Sequence, residues 1–307
     1  MIYTVTLSPA LDYFMTYDRL EPGAVNRTRT TRLAPGGKGI MESRMLSTMG
    51  VENTALGFIG GFSGKFIRDE LTRAGIKTAF TMTLTETRIN VKVKTDSSET
   101  SLDAVSPNLT EDDIENFIQN FNHLKPGDIV VFAGTAPESL GEDFYARLIS
   151  IVRQKGAEFA IDIDGQKLLE TLRQNPIVIK PNKEELEAVF SVKFASKEDI
   201  VPYGKKMQEM GAQNVMVSMA GEGALLFTAE DSVYFAPPVK GIIKNSVGAG
   251  DATVAGFIAE WDKSKNPLAA FKQGVACGTA KVFSEDMPST NFLQKCYQQI
   301  KIEKIKL

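Results

Sequence analysis

The sequence predicts an α/β protein: a mostly parallel sheet flanked by helices, carrying a small β-sheet lid. Three observations predict it. From residue 129 onward, short apolar strand-like runs alternate with helical patterns, the mark of repeated βα units and a parallel sheet. Two stretches in the first third, near residues 11–34 and 77–105, alternate apolar with polar residues and read as inserted β pairs. A chain of 307 residues, 43% hydrophobic and 24% charged, suffices for a sizeable core, so residues 1–307 are expected to form one α/β domain with the lid inserted.

The elements follow in order. Residues 2–7 are β-branched and apolar, a central strand that ends in a turn at Ser8-Pro9-Ala10-Leu11-Asp12. Residues 13–20 and 27–33 read as exposed antiparallel strands around Pro22-Gly23, and Ala34-Pro35-Gly36-Gly37-Lys38-Gly39 as a tight loop opening a helix that ends at Gly50. A buried strand over 54–59 and a helix over 65–74 come next. Residues 77–84 and 88–95 form the second β pair. Thr110 opens a capped helix, and strands over 129–133, 159–163, 177–180 and 215–218 then alternate with helices. Residues 223–227 and 232–235 form an antiparallel edge, and helices over 247–261, 267–283 and 291–300 close the chain.

Composition excludes several classes. The net charge is −3 with no basic cluster, which argues against nucleic acid as a partner. Two cysteines, Cys277 and Cys296, and a single histidine, His123, support neither a disulfide framework nor a zinc site. No signal peptide stands at the start and no apolar run approaches the roughly 20 residues that span a bilayer, so a cytoplasmic protein without a membrane segment is expected.

Two glycine-rich stretches carry the chemistry. Gly248-Ala249-Gly250-Asp251 leads into an apolar helix, where outward N–H groups and the helix dipole favour an anion. An aspartate there either caps the helix or takes a proton while the amides hold a phosphoryl group in transit. Gly36-Gly37-Lys38-Gly39 offers close backbone approach and a point charge for a phosphate, or is a flexible turn with a solvated lysine. It is not a Walker A loop, since Arg32 stands where that motif needs glycine, and the later stretch is not a dinucleotide fingerprint. Asp12 suits sugar hydroxyls or a turn cap. Arg88 and Asn90 lie on a lid strand, where Arg88 either binds a phosphate or is exposed. Lys180-Pro181-Asn182-Lys183-Glu184-Glu185 has the spacing of a capping box; Asn182 and Glu185 either form it or order Mg²⁺ and nucleotide phosphates through water. Ser218 to Gly223 is a hairpin turn or a backbone approach to a nucleotide.

Taken together, Gly-Gly-Lys-Gly at 36–39, Lys-Pro-Asn-x-x-Glu at 180–185 and Gly-Ala-Gly-Asp at 248–251 resemble the ribokinase-like, or phosphofructokinase B, sugar kinase family over essentially the whole chain. Ser8 to Asp12 and Thr87 to Lys92 look most like its 1-phosphofructokinase branch, with tagatose-6-phosphate kinases as close relatives. The resemblance implies a ribokinase-like fold and an ATP- and Mg²⁺-dependent kinase of a ketohexose phosphate, fructose 1-phosphate first and tagatose 6-phosphate second. It implies Asp251 as base, with the amides of Gly248, Ala249 and Gly250 as anion hole. Asp12, Gly36, Gly37, Lys38, Arg88 and Asn90 would bind the sugar phosphate. Lys180, Asn182, Glu185, Ser218, Gly221, Gly223 and Ser246 would bind the nucleotide, with Glu185 meeting Mg²⁺ through water. A homodimer through the lid is implied as well. The chain departs from the family pattern at Met41 and Glu42 after the first loop, at Asp164, at Ala252 and at Lys281. Glu42 is expected to put a negative charge beside that loop. These departures keep a second reading in view, a non-catalytic sugar-phosphate or nucleotide binding protein.

Overall fold

The computed structural model describes residues 1–163 and 165–305; Asp164 lies outside the described residues. In chain order the first part comprises β1 (Ile2–Thr6), β2 (Ala10–Thr16), β3 (Thr30–Gly36), α1 (Lys38–Thr48), β4 (Asn53–Gly60), α2 (Gly61–Arg73), β5 (Lys77–Thr78), β6 (Thr81–Thr83), β7 (Ile89–Lys94), β8 (Glu99–Leu102) and α3 (Glu111–Gln119). The βα series follows: β9 (Ile129–Ala133), α4 (Phe144–Gln154), β10 (Glu158–Asp162), α5 (Gln166–Leu172), β11 (Val178–Ile179), α6 (Lys183–Phe190), α7 (Lys197–Glu209) and β12 (Asn214–Ser218). The last part is β13 (Ala224–Thr228), β14 (Ser232–Ala236), α8 (Ala249–Ser264), α9 (Pro267–Val282), α10 (Thr290–Gln299) and β15 (Glu303–Lys304).

The large sheet runs β15-β14-β13-β12-β11-β10-β9-β1-β4-β5, with β6 also on β4. From β12 to β4 every pairing is parallel, and β13 to β15 close one end antiparallel. The reason is legible in β9, whose five residues are all buried. Val130 and Phe132 enter one core with Val5, Phe117 and Phe227; Ile129 and Val131 enter a second with Met45, Phe257 and Phe271. Alternate side chains of one strand thus feed both faces, each covered by helices. Thr110 and Asn182 each form the expected reciprocal capping box.

The small sheet has the order β3-β2-β7-β8. Three expectations are corrected by it. Residues 77–83 pair with β4 in the large sheet rather than in the lid, and the fourth lid strand is β8. Asp12 sits inside a strand, not in a turn. Ala34-Pro35-Gly36 extends β3 instead of forming a loop; β3 is an edge strand, where a proline without an N–H is tolerated.

Register fixes what the lid presents. Asp12 pairs with Ala34 and Asn90, and Phe14 with Arg32 and Lys92, so these side chains share one face. Tyr13, Leu33, Val91 and Leu102 form a row on the opposite face. Among the described residues no helix is long and apolar enough to cross a membrane.

Candidate active site

The Asp12 face of the small sheet looks across a cavity of about 370 Å³ toward the N-terminus of α8. Of the residues singled out in the sequence, Asp12, Gly37, Lys38, Arg88, Asn90 and Asp251 line this one space. Its lining side chains include six Lys or Arg and four Asp, an imbalance that suits an anionic ligand.

Each part is held locally. Asn90 Nδ2 donates to Asp12 Oδ1 at 3.0 Å, while Asn90 Oδ1 accepts the Ala104 N–H at 3.1 Å. Asn90 is therefore an orienting group for Asp12. Burial raises the Asp12 pKa, and the Asn90 hydrogen bond works against that rise. Gly36 lies under the Asp12 carboxylate, and any side chain there would collide with it. Arg88 donates from Nη1 to Ala104 O and from Nη2 to Ser8 O, both at 3.0 Å, so its fork is anchored to the backbone. Burial lowers its pKa, opposed by Asp103 and Asp12.

Behind the lining, Lys38 belongs to an ion cluster. Asp162 Oδ1 lies 3.6 Å from Lys38 Nζ and 3.8 Å from Lys180 Nζ. Glu42, beneath them on α1, is 0% exposed, and neither carboxyl oxygen has a hydrogen-bond partner among the described residues. Burial, then Asp162 and Asp251, drive its pKa well up against the pull of Lys38 and Lys180. The expected negative charge beside the glycine loop is thus replaced by a buried carboxyl that favours its neutral form.

At the far wall Gly248 caps α8 in the left-handed region (φ 79°), so Asp251 is the third helical residue and not the N-cap. Ala249 N–H donates to Ser246 O at 3.2 Å, so of the three expected amides this one is committed within the turn. Asn245 pins the turn: its Oδ1 accepts the Val247 N–H and its Nδ2 donates to Glu285 O, both at 3.0 Å.

The residues expected to bind a nucleotide lie outside the lining of this cavity. Asn182 and Ser218 form a parallel bridge, and Ser218 N–H donates to Pro181 O at 3.1 Å. Asn182 Oδ1 accepts the Glu185 N–H and Glu185 Oε2 accepts the Asn182 N–H, both at 2.8 Å. Gly221 faces open space, Gly223 has φ 101° and Ser246 is exposed. Lys180 joins the two groups, its Nζ 3.0 Å from where a side chain on Gly250 would begin.

Sequence reasoning missed Arg32, Arg44, Lys92, Asp103 and Asp286 and marked Lys281 only as a departure from the family pattern; all six lie on the cavity wall. Strand alternation outward from Asp12 and Asn90 was the available signal for Arg32 and Lys92. The others come from loops and helix faces whose approach depends on tertiary packing.

The family model described as pfkB family carbohydrate kinase matches residues 5–290. The chain is 43% identical over 305 residues to a protein named 1-phosphofructokinase from Bacillus subtilis (strain 168), covering 99% of this chain and 100% of that one. It is 34% identical over 303 residues to a D-tagatose-1-phosphate kinase of Bacillus licheniformis, covering 98% and 99%. Among solved structures, Escherichia coli phosphofructokinase-2 in complex with fructose-6-phosphate superposes with a TM-score of 0.88 at 26% identity, covering 97% of this chain and 98% of that one. The matched span, the two sheets and the cavity between them agree: this chain belongs to the pfkB family of carbohydrate kinases.

Proposed function

We propose that this protein transfers the terminal phosphoryl group of ATP to the free primary hydroxyl of a ketohexose 1-phosphate, converting fructose 1-phosphate to fructose 1,6-bisphosphate. One observation carries the reading. A single cavity combines a carboxylate at a helix start, Asp251, with a hydroxyl-binding pair, Asp12 and Asn90, and an excess of cations.

In this reading Asp251 accepts the acceptor hydroxyl's proton. Asp12, oriented by Asn90, binds sugar hydroxyls, and Lys38 and Arg88, with Gly36 and Gly37 giving clearance, hold the phosphate already on the sugar. The α8 turn stabilises the phosphoryl group in transit; positioning and this electrostatic contribution supply most of the acceleration. Lys180, Asn182, Glu185, Ser218, Gly221, Gly223 and Ser246 seat the nucleotide. Among the described residues no three acidic, His or Cys side chains gather around a metal site. Mg²⁺ would be carried by the substrate phosphates, and Glu185, whose Oε2 accepts the Asn182 N–H, would meet it through a water. When bound, Mg²⁺ neutralises phosphate charge.

The second reading is a tagatose phosphate as acceptor. The 34% identical D-tagatose-1-phosphate kinase favours the 1-phosphate over tagatose 6-phosphate. A non-catalytic role finds no support in a turn that keeps Gly248, Gly250 and Asp251. The lid's outer row supports a homodimer through that face: Leu33 is 43% and Leu102 58% exposed.

A coupled assay of ADP release tests the proposal, using fructose 1-phosphate, both tagatose phosphates, fructose 6-phosphate and fructose. Fructose 1-phosphate is expected to give the highest kcat/KM. Absence of ADP release with every acceptor overturns the kinase reading.

A further inference from the structure

We propose that the Lys281 ammonium is the side-chain half of the anion site at the α8 turn, donating to an oxygen of the phosphoryl group as it passes from nucleotide to sugar. The inference rests on the kinase reading above and adds a residue that the family resemblance does not supply, since the corresponding stretch is usually rich in Ser, Ala and Thr.

Three observations converge. Lys281 lines the cavity yet is 1% exposed, and its Nζ has no hydrogen-bond partner among the described residues. Its Cε lies 3.7 Å from where a side chain on Gly248 would begin, so the stem abuts the glycine turn. Of the two carboxylates that face it, Asp286 is taken: its Oδ2 accepts from Arg44 Nη2 at 2.6 Å and lies 4.0 Å from Arg32. A buried cation without a partner is costly to keep. A threonine or alanine would fill the same place on α9 without that cost. An arriving phosphoryl group supplies the missing anion at the point where its charge is greatest, beside the N–H groups of a helix start.

The step balances as follows. The bond from phosphorus to the bridging oxygen breaks, and its electron pair leaves with ADP. A bond from the sugar oxygen to phosphorus forms, and the hydroxyl proton passes to Asp251. Lys281 keeps its proton throughout and acts as a fixed charge.

The charged groups facing Lys281 are Asp286 beyond α9, Arg44 on α1, Arg32 on β3 and Asp251 on α8. Burial lowers its pKa, with Asp286 opposing and the two arginines adding to the fall. The working form is the cation. Activity is therefore complete below the depressed pKa and lost as pH rises through it.

The test uses the full-length enzyme with ATP, Mg²⁺ and the best acceptor from the panel. Lys281→Met is expected to lower kcat by about 10²–10³-fold, the range for removing one such donor, with KM for the sugar phosphate changed less than about threefold. Its Tm should rise, because a buried unpaired charge has gone; a merely structural lysine would lower it. Lys281→Arg should recover most of kcat and move the alkaline limb of the pH profile upward, since guanidinium stays charged. Unchanged kcat in Lys281→Met, or a loss confined to KM, overturns the proposal. If the wild type releases no ADP at all, the kinase reading fails first, and the anion site is then read by melting in sodium sulfate. Sulfate should raise the wild-type Tm more than that of Lys281→Met, and equal rises overturn the site.

Discussion

The Lys180 ammonium stands 3.0 Å from the point at which a side chain on Gly250 would begin. The amine arrives from the end of β11 and the glycine from the first turn of α8. Gly250→Ala tests what the gap is for. Its φ lies outside the left-handed region, so alanine fits the backbone and should stabilise the helix by up to about 1 kcal/mol. The methyl group displaces the flexible end of Lys180 and enters the space an anion would use. The expected outcome is an unchanged or higher Tm with kcat at least tenfold lower, read by calorimetry and steady-state kinetics.

Asp251→Asn keeps the shape and removes the proton acceptor. It should lower kcat by about 10²–10⁴-fold, the range for a positioned base. The helix loses a favourable charge in its first turn, worth about 0.3–1 kcal/mol, so the fold remains intact by circular dichroism. Near-normal turnover would remove Asp251 from the mechanism.

Lys38→Ala should act mainly on KM for the phosphorylated sugar, by roughly tenfold or more for a lost charge-assisted contact. Unphosphorylated fructose is the control. An equal loss on both acceptors would mean that Lys38 serves the Asp162 cluster, 3.6 Å away, and does not read the phosphate.

Glu42 makes stability depend on pH. Its folded pKa is raised by burial, so its contribution is fully present below the unfolded carboxylate pKa of about 4.3 and is lost as pH rises through the folded value. Glu42→Gln cannot ionise, and its Tm should overtake the wild type progressively as pH rises above about 5. Parallel Tm curves for the two proteins would show that Glu42 titrates as an ordinary carboxyl.

The parallel sheet was legible because its strands are apolar on both faces, as β9 is, and because the turns between them carry glycine and proline. Asp12, Lys38, Arg88, Asn90 and Asp251 were found from motifs, and the structure places all five on one cavity. The capping box at Asn182 and Glu185 was legible from spacing alone. Other features were not. Residues 77–83 look like lid strands because short alternating runs carry no record of the strand they will pair with; β4 claims them. Pro35 reads as a loop until the edge position of β3 is known. Glu42 reads as a negative charge beside the glycine loop, since its burial comes from the packing of α1 near Asp162 and Asp251. Lys281 sits more than 30 residues from the turn it abuts, and only the return of α9 beside α8 brings it back.

In the proposed reaction the sugar-binding side chains and the base are mounted on different sheets. Asp12, Asn90, Arg32 and Lys92 belong to the ladder of β2, β3 and β7, while Asp251 belongs to a helix lying on the large sheet. α1 packs on both β3 and α8, and α2 on β2 and β3 as well as β4, so in the proposed reaction the reach from sugar clamp to base is a gauge set by how the small plate seats on these helices and its connecting straps. The strap at 7–9 and the joint at Gly37 (φ 122°) are the shortest of these. Altered strap length would then retune which hydroxyl meets Asp251 while every side chain in the cavity stays the same, a route to new acceptors that leaves the chemistry untouched.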